Sequence, residues 1–110
     1  MKLPFAENAV ISEKKIKDYL LSHNHPVGKL KAKFFASMGF SLKDFDKLRK
    51  LLLQIAINED VINMIPSEYG EKYIIEGTIN SPRHKSVRLQ TVWIIDTGKK
   101  QPRFVTAYPV

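Results

Sequence analysis

The chain has 110 residues, 44% of them hydrophobic, and no cysteine. That length suggests one domain with a modest core, and the composition excludes a disordered chain, a disulfide framework and thiolate chemistry. A formal charge of +7 and a pI of about 9.7 favour polyanionic partners, either nucleic acid or an acidic protein.

The start, "MKLPFAENAVI", carries one Lys but no apolar h-region, and Pro4, Glu7 and Asn8 interrupt it. It reads as no signal peptide. No apolar run approaches the roughly 20 residues that a membrane helix needs, so the expected location is cytoplasmic and the expected partners include no membrane. The chain otherwise reads as a fragment of something larger.

The first predicted helix spans 12–22. Ser12 can cap it by accepting from the first-turn N–H groups, and Ile16, Tyr19 and Leu20 follow helical spacing. Asn24 and His25 break the chain. A second helix spans 26–38, with Pro26 in its first turn and Gly39 in the left-handed position that ends it. A third starts at Ser41, with Asp44 three residues on as a variant capping box, and runs to Asn58. Phe45, Leu48, Leu52, Ile55 and Ala56 share one of its faces, which Leu51, Leu53 and Ile57 widen.

Strand chemistry follows at 72–79, 86–95 and 103–110, rich in β-branched and aromatic residues. "NSPRHK" and "DTGKKQP" supply the turns between them. In the middle strand Val87, Leu89, Thr91 and Trp93 face one way, and Arg88, Gln90, Val92 and Ile94 the other. The prediction is a single α+β domain over 1–110, with a helical half (12–58) and a β half (72–110). Two to three N-terminal helices pack on a three- to four-stranded antiparallel sheet.

The cations are unevenly spread. Between Tyr19 and Lys43 stand Lys29, Lys31, Lys33 and Lys43, with no acid; between Arg83 and Val110 stand six cations against Asp96 alone. A solvated basic surface explains this, and so does a surface that holds nucleic acid or an acidic protein. On a helical wheel Val27, Leu30, Phe34 and Met38 make an apolar stripe, with Lys31 inside it and Lys29 and Lys33 opposite. A buried unpaired ammonium is costly. Either the stem of Lys31 packs while its amine snorkels outward or pairs with a carboxylate such as Glu76, or the stripe opens on a cleft that Lys31 lines.

His25, just before a helix start, adds to the second reading, because free N–H groups there favour anions. Thr106 and Tyr108 are expected on one face of the last strand with Phe104, and Thr91 beside them. They are either plain cross-strand packing or hydrogen-bond donors on a cleft floor. His23 and His84 read as helix-end and turn residues. No metal-ligand spacing, phosphate loop, dinucleotide fingerprint or nucleophile elbow occurs, so no cofactor or metal is expected.

The segments "DYLLSHNHPVGKLKAKFFASMGF", "YGEKYIIEGTI", "VRLQTVWII" and "PRFVTAYPV" resemble an uncharacterised bacterial domain family. That family occurs as small stand-alone proteins and as the C-terminal module of polymorphic or contact-dependent toxins. The order of helices then sheet, and the ending "VTAYP", also look like toxin ribonucleases of the Barnase–EndoU–Colicin–RelE type. "SPRHK" stands where those have a glycine-rich turn.

The second resemblance implies a site of His25, Lys31, Arg88, Thr106 and Tyr108. His25 would be the base or acid of a metal-independent ribonuclease, Lys31 and Arg88 would hold the phosphate, and Thr106 or Tyr108 would donate hydrogen bonds. No second histidine is placed to be the other proton carrier. The other reading is a non-catalytic module that holds RNA or an acidic protein in the same basic cleft. A toxin also implies a neutralising immunity or antitoxin protein.

Overall fold

A computed structural model describes residues 1–21, 29–83 and 85–110 of the chain. It is an α+β fold with its helical segments first and an antiparallel sheet after them. The second and third predicted helices form α1 (Lys29–Ser37) and α2 (Phe45–Asn58). The first predicted helix is a short turn leading into a π-helix, Lys15–Leu20. Ser12 caps it as expected, its Oγ accepting from the Lys15 N–H at 3.1 Å. Gly39 takes its left-handed conformation, φ 95°, and closes α1 through N–H bonds from Gly39 and Phe40 back to Ala36 and Phe35.

Before α2, the Ser41 N–H and hydroxyl both donate to the Asp44 carboxylate, at 2.8 and 3.1 Å. α2 buries Leu48, Leu52, Ile55 and Ala56. Ile57 does not widen that face: it is 44% exposed, beyond the edge of what α2 covers. Among the described side chains of α1, Ala32 and Phe35 are buried, and Phe34, like Met38 just beyond the helix, packs beside the core. Pro26 and Val27 lie outside the described residues.

The sheet is a meander in the order β1-β2-β3-β4, every pair antiparallel. β2 (Gly70–Asn80), β3 (Ser86–Asp96) and β4 (Pro102–Pro109) fall where the residue pattern puts them. β1 (Val61–Ser67) is the fourth strand; nearly all of it is exposed, so its sequence lacks the alternation that marks a half-buried strand. The edge beyond β1 is poor in free donors. Met1 and Asn63 take the N–H groups of Val61 and Met64, and Pro66 has none, which blunts pairing with another chain.

The inward face carries Tyr73, Ile75 and Ile79 of β2, Val87, Leu89, Thr91 and Trp93 of β3, and Phe104 and Ala107 of β4. Trp93 and Phe104 meet edge to face, 5.3 Å between ring centres. Thr91 is satisfied inside: its hydroxyl donates to the Ile75 carbonyl at 2.7 Å and accepts from the Trp93 indole at 2.8 Å. It is a core residue and does not stand with Thr106 and Tyr108.

β4 contains one irregularity that decides where the site forms. Val92 pairs with Thr106 but Trp93 pairs with Phe104, so Val105 is an extra residue in the ladder, a β-bulge. An extra residue reverses the alternation beyond it. Phe104 points inward with Trp93, whereas Thr106 and Tyr108 share the outward face of Val92 and Gln90. The expectation that Phe104, Thr106 and Tyr108 lie on one face is thereby corrected.

Candidate functional site

Chain entry fixes the position of the π-helix. Val10 makes a parallel bridge to Arg103, with Val10 donating to the Pro102 carbonyl and Phe104 donating to the Val10 carbonyl, both at 3.0 Å. The π-helix therefore starts beside the free edge of β4, drops Ile16 and Leu20 into the core and leaves Tyr19 half-buried at that edge.

Three elements converge on Tyr19. Its hydroxyl lies 3.3 Å from Thr106 Oγ1 on β4. The Lys31 amine, from α1, stands 5.5 Å from the ring centre. The Lys15 amine, one turn before Tyr19, stands 5.0 Å from it. Both distances allow cation–π attraction. Lys15 also donates to the carbonyl of the bulge residue Val105 at 3.1 Å. The bulge thus serves the cluster twice, by offering a carbonyl to Lys15 and by placing Thr106 under the phenol.

Burial raises the phenol pKa of Tyr19. Hydrogen bonds with Thr106 and Lys31, together with the charges of Lys31 and Lys15, outweigh burial and bring it below its ordinary value. A shallow pocket of about 220 Å³ opens beside it, lined by Ser12, Lys14, Lys15, Asp18 and Tyr19. The arrangement can hold an anion, because two amines share one rim. It can also move a proton, because the phenol has cationic neighbours that favour its ionised form.

Lys31 is half-buried on α1, whereas Lys33 is exposed. The Lys31 amine stands beside the Tyr19 ring, and Glu76 pairs with Arg88 at 3.5 Å. Thr106 and Lys31 meet at Tyr19. Arg88 and Tyr108 lie elsewhere on the outward face of the sheet. Arg88 is exposed, within 3.4 Å of Thr78 Oγ1, and the Gln90 amide donates to the Tyr108 hydroxyl. Since Gln90 is opposite Tyr108 and Val92 opposite Thr106, a continuous outward strip leads from Arg88 through Tyr108 to Thr106. The described site is accordingly an edge with an adjoining sheet face rather than a cleft between helix and sheet. His25, His23 and His84 lie outside the described residues.

Tyr19 and Lys15 are the functional candidates that sequence reasoning passed over. Their signal is present: a cation and a phenol four residues apart on one helix, directly before the acid-free segment. Among the described residues no three of His, Cys, Asp and Glu gather as a metal-holding group, and no helix is long and apolar enough to cross a membrane.

A four-stranded antiparallel meander with helical segments before it is the α+β fold that the residue pattern predicts. The chain belongs to the family described as Domain of unknown function (DUF6883), whose model matches residues 2–110. A chain in the solved structure of a contact-dependent growth inhibition toxin–immunity protein complex from Klebsiella pneumoniae 342 is similar in fold. Its TM-score is 0.73 at 20% identity, with 96% of each chain covered. No curated protein matches the chain.

Proposed function

We propose that the chain is a toxin-like module that cuts RNA without a metal, by attack of a ribose 2′-hydroxyl on the adjacent phosphate. The observation that carries this reading is the convergence of Lys15, Tyr19, Lys31 and Thr106, from three elements, at one edge. Such chemistry needs fixed cations where charge builds on phosphorus and a group that moves protons. Lys31 and Lys15 hold the phosphate, Thr106 donates or accepts beside it, and the strip through Tyr108 and Arg88 guides the strand. The likeness to a chain of a toxin–immunity complex supports the toxin setting. It also supports a neutralising protein partner, acidic in keeping with a charge of +7. The compartment where it acts is the cytoplasm.

The test is incubation of the purified chain with RNA in the presence of a chelator, wild type beside Lys31→Met and Lys33→Met. Wild type should release fragments. Lys31→Met should lose cleavage and stay folded, with stability changed by under about 1 kcal/mol. Lys33→Met should behave as wild type apart from weaker general attraction. RNA retained at about 50 mM salt and released as salt rises, with no fragments formed, makes the chain a binding module instead. Equal effects of the two substitutions remove Lys31 from the site.

A further inference from the structure

Among the described residues, the ribonuclease reading names cations for the phosphate but no carrier of the proton. It needs a group that takes a proton from the 2′-hydroxyl and one that supplies a proton to the departing 5′-oxygen. Tyr19 is in contact with both amines of the site, Lys15 and Lys31, and with Thr106 of β4. We propose that Tyr19 is the proton-transfer residue of this site and that Lys31, beside it, is its partner in the proton exchange.

The step balances with groups already present. The Tyr19 phenolate removes the 2′-hydroxyl proton. The 2′-oxygen forms its bond to phosphorus, the bond from phosphorus to the 5′-oxygen breaks, and its electron pair goes to that oxygen. The Lys31 ammonium donates a proton to it. The proton on Tyr19 then returns to the Lys31 amine, and the starting pair is restored. No oxidant, reductant or metal is consumed, and the products are a 2′,3′-cyclic phosphate and a 5′-hydroxyl.

The geometry supports each role. The half-buried ring cannot drift, because the π-helix carrying it is anchored by Ile16 and Leu20 in the core. The phenol oxygen is pinned by Thr106 at 3.3 Å. Lys31 comes from α1, and Lys15 is tied to Val105 by a hydrogen bond of 3.1 Å. Lys15 therefore acts as a fixed charge while Lys31 is the amine available for proton exchange. Lys14 and Asp18 line the pocket beside the phenol. Lys15 from its own helix, Lys31 from α1 and the Thr106 hydroxyl from β4 act on it. These lower the phenol pKa against the effect of burial, so the ionised form is reached at a lower pH than for a free tyrosine.

The inference rests on the ribonuclease reading, and one experiment separates the two. A fluorescent single-stranded RNA is incubated with wild type, Tyr19→Phe and Thr106→Val across a pH series. Cleavage, product ends and RNA affinity are all measured. Wild type should give cyclic phosphate ends and a rate that climbs with pH on the limb set by the phenol. Tyr19→Phe keeps the ring and both cation contacts; its cleavage should fall by about 100-fold or more while RNA affinity is unchanged.

Thr106→Val leaves Tyr19 in place and removes its hydroxyl neighbour. The rising limb of its profile should move to higher pH, and this variant decides the matter if Tyr19→Phe does not fold. Active wild type with equally active Tyr19→Phe, or an unmoved profile in Thr106→Val, overturns the role of Tyr19 alone. Wild type inert on every RNA overturns the ribonuclease reading and this inference with it.

Discussion

Gly77 lies on β2 directly under α2, and a Cβ built on it would stand 2.7, 3.0 and 3.2 Å from Cγ1, Cγ2 and Cδ1 of Ile55. Ordinary carbon–carbon contact is about 3.5–4.0 Å, so one methyl group at 77 overlaps a side chain that is itself fully enclosed. The overlap involves Cγ1 and Cγ2, which no change in the outer torsion of Ile55 can remove. Relief requires Ile55 to turn about its inner torsion inside a packed core or α2 to lift from the sheet. Gly77→Ala should therefore cost about 1–3 kcal/mol, the usual range for an overpacked core. That corresponds to a melting temperature lower by about 4–8 °C for each kcal/mol in a domain of this size. Ile55→Ala alone should cost about 2–5 kcal/mol by leaving a cavity. In that background the methyl at 77 fills space instead of colliding, and alanine loses less backbone entropy than glycine by about 0.5–1 kcal/mol. Gly77→Ala should then be neutral or stabilising. The assay is urea unfolding of the four proteins of this cycle, with equal m values as the check that the same transition is compared. Additivity within about 0.5 kcal/mol would refute the reasoning, since it would mean that Gly77 and Ile55 do not share a contact.

Two further outcomes concern pH. Asp44 accepts the Ser41 backbone N–H, and this bond holds its carboxyl below the usual carboxylate range. Asp44→Ala should cost about 0.5–2 kcal/mol, as other losses at helix starts do. Because the folded pKa is depressed, that difference from wild type should be fully present near neutral pH. It should vanish as acid protonates the carboxylate, which unfolding titrations at several pH values will show. Tyr73 is the opposite case: burial and the hydrogen bond to Glu71 at 2.6 Å raise its pKa from 10.0 to about 12. The raised folded value keeps its contribution intact below about 10 and removes it as pH rises toward about 12. Tyr73→Phe should flatten that part of the alkaline stability profile.

The helical half was legible because caps and apolar spacing agree. Ser12, Gly39 and the Ser41–Asp44 pair each do locally what their residue types allow, and α2 buries the face its wheel predicts, apart from Ile57. Three strands were legible for the same reason, since β-branched runs sit between turn residues. β1 was not, because its seven residues face solvent almost throughout and alternation appears only where one face is covered. Lys31 stood out as different from Lys33, and an aromatic ring from the preceding helix stands beside its amine. A carboxylate such as Glu76 was one of the readings its place in the stripe allowed, and a cleft-lining amine the other. Nothing in the spacing of Lys31 itself could distinguish these, because Tyr19 arrives from another element.

The placement of the site turns on Val105. Strict alternation through "RFVTAYP" puts Phe104, Thr106 and Tyr108 on one side, and a helix-covered cleft follows from that. The residues carry a contrary signal: the two inward apolar side chains, Phe104 and Ala107, are three apart, an odd separation that a regular strand cannot place on one face. A bulge between them is the simplest repair, and it is what the ladder shows. Its consequence reaches beyond packing. Without the extra residue, Thr106 would stand in the core against β3, and Lys15 would lose the displaced Val105 carbonyl that holds it. With it, a hydroxyl faces outward at an edge strand and a fixed amine lies beside it, so that Tyr19 and Lys31 have something to gather around. The same single residue that breaks the reading of the strand therefore assembles the surface on which the proposed chemistry depends.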